Sequence, residues 1–269
     1  MQPRGEGGAS KAKAKIYPGR MPEAETEPGF PSVRIARELP HFKGVVSALE
    51  SQQEFEKALS LERFSRYLVW AGGDRGRALH LYTMNTRISE ALYTPLQTLE
   101  VVLRNRIHTE MSATRDERWF EQDGLLRVEH QRHQLATALD DLEKERRPPT
   151  DGRVVAALSF SFWTAMLSPA YEELWQVSLH RIARRSDGKG VGRKELSGPL
   201  TPIRTLRNRV AHHEPIIHWN LPRHYGNILR VTGWLSPVAA AWCREHSRFE
   251  TVHPNERIEL FHAPASSTG

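Results

Sequence analysis

The stretch Leu200 to Ile217, LTPIRTLRNRVAHHEPII, spaces charged and titratable side chains in a way that could do chemistry. At about 100° per residue, Leu200, Ile203, Leu206 and Val210 of a helix fall within an arc of about 120°, and Arg207 projects into it. A guanidinium there needs a carboxylate, a carbonyl cluster or a bound anion, because an unpaired charge among apolar groups is costly. A structural ion pair would meet that need as well as a substrate. Arg204, Asn208 and His212 recur every four residues and share a second, polar stripe, along which Asn208 can reach His212 and select the ring nitrogen that holds the proton. Pro215 ends the helix just beyond, so His212 and His213 fall at an exposed terminus. A histidine is also favoured at such an end simply as a cation beside the helix dipole. An imidazole to move protons, near a guanidinium fork that can grip two oxygens, is equipment for work on a phosphodiester.

Three other groupings compete for attention. Leu103 to His108, LRNRIH, places Arg104 and His108 one helical turn apart, and Glu100 extends that stripe a turn earlier. A structural stripe is the simpler reading, with Glu100 a candidate partner for Arg104 or, across a bundle, for Arg207. Arg181, Arg184 and Arg185, followed by Lys189, Arg193 and Lys194, form a basic run that suits phosphate contacts or a solvated helix end equally. His212, His213 and His218 lack a common zinc-ligand spacing and no cysteine joins them, so no metal site is expected. Gly188 to Gly192 lacks the preceding strand and the Lys-Ser or Lys-Thr of a phosphate-cradling loop.

Positioning such side chains requires helices. Residues 1–44 are rich in Gly, Pro, Glu and Lys and read as a disordered tail. Leu61 to Trp70 reads as a helix closed by Gly72 and Gly73. Arg77 to Ser112 carries Leu92, Leu96, Leu99, Leu103, Ile107 and Met111 at spacings of three and four, with a kink or break expected near Thr94 because of Pro95. Further helices are expected over about 127–144, 154–166, 169–182, 199–213 and 223–245, with Phe160, Phe162 and Trp163 in the core rather than stacking on bases. From Val252 the chain is polar and should fray, giving a tail over 251–269 behind a helical domain over 45–250. No long alternating pattern predicts a strand, so the fold class is all-α, a bundle of five to seven helices.

Composition bounds the function. A net charge of +6 over 269 residues and a pI near 9.6 favour polyanionic partners. The single Cys243 excludes a disulfide framework and reads as a core thiol. No apolar run is long enough to span a bilayer and no secretory leader is evident, so a cytoplasmic protein is expected.

Arg207-Asn208-Arg209-Val210-Ala211-His212 matches the R-x4-H signature of HEPN ribonucleases. With LYTPLQTLEVVLRNRIH at 92–108, FSFWTAMLS at 160–168 and GWLSPVAAAW at 233–242, the chain from Leu61 to Arg244 resembles the bacterial Abi-like (abortive infection) proteins. The resemblance implies a HEPN-like bundle and metal-independent RNA cleavage, without cofactor, in a cleft between two copies. It also implies a homodimer, a phage-defence or toxin-like role and a neutralising antitoxin. Arg207 and His212 would then carry the chemistry and Asn208 would orient. Arg204, Arg209, His213, Arg184 and Arg185 would contact RNA. The alternative is a HEPN-type module that binds RNA or protein without cutting. Five residues separate Arg207 from His212, placing them about 140° apart on an ideal helix, so two copies meeting across a two-fold axis would aim both at one phosphate more easily than one helix does.

Overall fold

The computed structural model describes residues 48–261, so the expected N-terminal tail and the last residues of the C-terminal one lie outside the described residues. The chain divides into two units near Leu49, the larger running from Glu50 onward. Among the described residues there are no strands, only a lone bridge between Arg184 and Gly190, and the fold is all-α. The helices are α1 (Ala48–Leu59), α2 (Leu61–Trp70), α3 (Arg75–Thr114), α4 (Glu129–Lys144), α5 (Asp151–Ala157), α6 (Phe160–Ala165), α7 (Glu172–Val177), α8 (Arg193–Ala211), α9 (Leu221–Leu235), α10 (Pro237–His246) and α11 (Phe249–Val252). Seven of them have ten residues or more, against the five to seven helices expected from the sequence; the all-α class is as expected, while the number and division of the helices differ. None is long and apolar enough to cross a membrane.

Helix α3 is the spine. Asp74 starts it by accepting from the Arg77 amide at 2.8 Å, and its 40 residues extend about 60 Å at 1.5 Å per residue. Its buried stripe of Ile88, Leu92, Leu96, Leu99, Leu103 and Ile107 meets α2, α6, α8, α9, α10 and α11. No break occurs at Thr94: the helix runs on through Pro95, which is itself buried in that stripe. A proline inside a helix costs roughly 3 kcal/mol, whereas each fully buried Leu or Ile returns about 1.5–3 kcal/mol, so burying the whole face outweighs the local defect.

Elsewhere the expected helices are shorter and more numerous. The aromatic helix over 154–166 is two, α5 and α6, parted at Leu158 and Ser159, which take extended backbone. The Ser159 and Ser161 hydroxyls accept from Gln134 at 2.7 and 2.8 Å, and the Trp163 indole takes the Leu158 carbonyl at 3.2 Å. Phe160, Phe162 and Trp163 are buried in the core beside Trp119. The span 169–182 is a 3-10 turn over Pro169–Tyr171, then α7, then a second 3-10 turn over Leu179–Ile182. Helix α8 begins at Arg193 rather than Pro199, because Arg193 is buried, pairs with Glu172 and donates to the Leu167 carbonyl at 2.8 Å. The last long helix splits at Ser236, the residue before Pro237, whose hydroxyl caps α10 through the Ala239 amide at 3.2 Å. Cys243 is buried, and burial raises its thiol pKa.

The chain does not fray at Val252. Through Phe261 it returns across α2 and α3, with the Phe261 amide donating to the Trp70 carbonyl at 2.8 Å and Arg77 donating to the Glu259 carbonyl at 3.1 Å. Ile258 and Leu260 pack against the core.

Candidate functional site

Leu196, Leu200, Ile203 and Leu206 bury one face of α8, and the charged residues between them end up where α8 meets α3 and α6. Arg207 is half-buried there and its Nε donates to Glu100 Oε2 of α3 at 3.2 Å, the cross-bundle pairing anticipated above. The two side chains remain 36% and 22% exposed, so the ion pair is partly screened and an anion from solvent can still reach the guanidinium. Arg204, also half-buried, points at α6 and makes a long hydrogen bond to Thr164 Oγ1 at 3.4 Å.

The end of α8 is pinned from two sides. Asn85, buried in α3, accepts the backbone amides of Ile216 at 2.7 Å and Ile217 at 3.3 Å. Arg63 of α2 donates to the His212 carbonyl at 3.4 Å. Arg209 folds back on the turn: it donates to the Pro215 carbonyl at 3.1 Å, lies 3.6 Å from Glu214 and stacks over Trp219 at 5.2 Å. Its expected substrate contact therefore competes with a structural role.

His212 and His213 are exposed, as the position of Pro215 predicts. His212 caps the helix with φ −94° and ψ 10°, and His213 turns into the left-handed region with φ 57°. Among the described residues no side-chain hydrogen bond joins Asn208 to His212; only the backbone link from the His212 amide to the Asn208 carbonyl, 2.9 Å, is made. Asn208 is exposed.

The remaining candidates lie apart from this end. Arg185 pairs with Glu195 in the first turn of α8, its Nε 3.2 Å from Oε1. That is the opposite end of a 19-residue helix from His212, about 28 Å at the helical rise. Arg184 is exposed beside it, with its amide bound to the Trp234 carbonyl at 2.8 Å. Among the described residues the Arg104 side chain bonds only to its neighbour Asn105, at 3.3 Å, while Glu100 serves Arg207 instead. His108 Nδ1 accepts from the Trp119 indole at 3.1 Å, and burial lowers its pKa, so it is a neutral structural histidine.

Sequence reasoning missed Asn85 and Arg63. Asn85 had a signal, a lone polar residue in the apolar stripe Leu81, Ile88, Leu92. Arg63 had none, because nothing local marks a contact between residues 149 apart. Among the described residues no group of three His, Cys, Asp or Glu side chains could hold a metal ion, and His218 Nε2 accepts instead from the Trp219 indole at 2.9 Å. Comparison of the chain with protein-family models, with curated proteins and with solved structures finds no match.

Proposed function

We propose that this protein is a metal-independent endoribonuclease of the HEPN type, with Arg207 and His212 as its catalytic residues. The observation that carries this reading is the pairing of roles at one helix end: a guanidinium held in place yet accessible, and a free imidazole exposed beyond it. RNA brings its own nucleophile. A base takes the proton of the 2′-hydroxyl, its oxygen bonds to phosphorus, and the bond to the 5′-oxygen breaks as that oxygen gains a proton. The products are a 2′,3′-cyclic phosphate and a 5′-hydroxyl. The protein need only shift protons, the part suited to His212, and stabilise the extra charge on the non-bridging oxygens, the part suited to Arg207. Glu100 orients the Arg207 fork. A second copy would supply the matching pair across a two-fold axis, and the defence role follows the Abi-like resemblance alone.

The second reading, binding without cleavage, is favoured by the missing Asn208–His212 side-chain bond, which leaves the ring without a partner to set its tautomer. Purified wild type, Arg207→Ala and His212→Ala incubated with mixed cellular RNA separate the two. Cleavage that yields cyclic phosphate ends, persists in EDTA and falls by about 10²–10⁴ in each variant supports the nuclease. Equal behaviour of all three proteins overturns it.

A further inference from the structure

Helix α2 brings Arg63 and Arg66, one turn apart and both exposed, to the end of α8. Arg63 spans to the His212 carbonyl. Arg66 lies over the Trp70 ring at 6.0 Å, Trp70 meets the His218 ring at 5.2 Å, and Trp219 follows with Arg209 over it at 5.2 Å. Three guanidiniums thus gather from two distant stretches of chain. Among the described residues the one carboxylate paired with any of them is Glu214, 3.6 Å from Arg209. The excess positive charge is felt locally: burial first, then Arg209 and Arg66, lower the His218 pKa.

Like charges so placed repel one another, and an anion seated between them would offset that repulsion. The stacking matters here too. A guanidinium lying on an indole face is fixed in position while its N–H groups radiate in its own plane, free to bond phosphate oxygens. The Arg66 guanidinium makes no hydrogen bond among the described residues, and the Arg63 guanidinium makes only the long one at 3.4 Å. Because His218 Nε2 accepts from Trp219, its Nδ1 carries the proton and is a further donor. Two grooves border the cluster: one of about 640 Å³ lined by Arg63, Tyr93 and His213, and one of about 1040 Å³ lined by His218 and Trp219. Tyr93 is 62% exposed in the first, a ring available for stacking by a base.

We propose that Arg63 and Arg66 of α2, with Arg209 and His218, form a phosphate-binding cluster that seats the backbone of single-stranded RNA beside the end of α8. The proposal rests on the ribonuclease reading only for what happens to the strand afterwards; the seat itself is a matter of binding. It makes α2, which carries no part of the R-x4-H motif, half of the substrate path.

The test uses the full chain carrying His212→Ala and a fluorescent 2′-O-methyl oligouridine, which offers no nucleophile, so binding is read without cleavage. Arg63→Gln/Arg66→Gln should weaken binding by about tenfold or more at low salt and flatten the dependence of log K on log salt by about 1.4, two single-strand phosphate contacts. Lys144→Gln/Arg146→Gln at the end of α4 removes the same charge elsewhere and should leave both quantities nearly unchanged. Melting curves confirm that each variant is folded, and Arg66→Lys should keep part of the affinity. Failure of the oligonucleotide to bind, or equal losses in the two double variants, overturns the cluster. Cluster-dependent binding by a wild type that cuts no RNA would sustain the seat while removing the nuclease reading.

Discussion

Under the ribonuclease proposal, the chemistry of Arg207 turns on Glu100. Its carboxylate accepts from Nε at 3.2 Å, and among the described residues no hydrogen bond engages the two terminal nitrogens of the guanidinium. Glu100→Gln keeps shape and a weak acceptor but removes the charge. For a pair this exposed the expected loss of stability is small, about 0.5–1 kcal/mol, seen as a shift of a few degrees in the melting temperature. The expected loss of cleavage is larger, because an untethered guanidinium samples orientations that do not meet the phosphate. A double variant with Arg207→Ala tells the two apart: if Glu100 acts through Arg207, adding Glu100→Gln to Arg207→Ala lowers the rate no further. An additive loss would show that Glu100 acts independently.

At the scale of elements, the turn after α8 depends on α3. Asn85 accepts two amides that would otherwise be buried without partners, so Asn85→Leu should cost about 1–3 kcal/mol and loosen the segment carrying His212. Amide exchange at Ile216 and Ile217 would quicken first, and Asn85→Asp, which keeps the acceptor, should retain most protection. Unchanged exchange in Asn85→Leu would remove this anchor. The existence and type of the long helices were legible from periodicity, α3 most of all, since its stripe from Leu92 to Met111 repeats at three and four. The breaks at Ser159 and Ser236 were not, because they depend on side chains that compete for backbone groups: Gln134 with the two serines, and the Ser236 hydroxyl with the first turn of α10. The Arg207–Glu100 contact could be anticipated because both residues project from apolar stripes. The Asn208–His212 contact could not be ruled out from spacing, since the four-residue backbone register is kept and among the described residues only the side chains fail to bond. The α2 contribution is invisible locally, being set wholly by tertiary packing.

For the whole molecule, three histidines make stability depend on pH. His108, His218 and His224 are each held below the ordinary histidine pKa, chiefly by burial, with Arg209 and Arg66 adding to the effect at His218 and Arg223 at His224. The unfolded chain therefore binds protons more readily than the folded one. Their contribution is complete above about pH 6.5 and is lost as the pH falls through the lower folded values. The melting temperature should drop between about pH 7 and pH 5, and His108→Gln should reduce that slope. A slope left unchanged by the substitution would show that His108 takes no part. Pro95 brings one more consequence. It has no amide to offer the carbonyl one turn back, which leaves that joint of the 40-residue rod one hydrogen bond short, and it falls between Asn85 and Glu100. One of those residues grips the chain just past the imidazole and the other grips the guanidinium. A slight bend at that joint changes the spacing of both groups together, like the pivot of a pair of tongs.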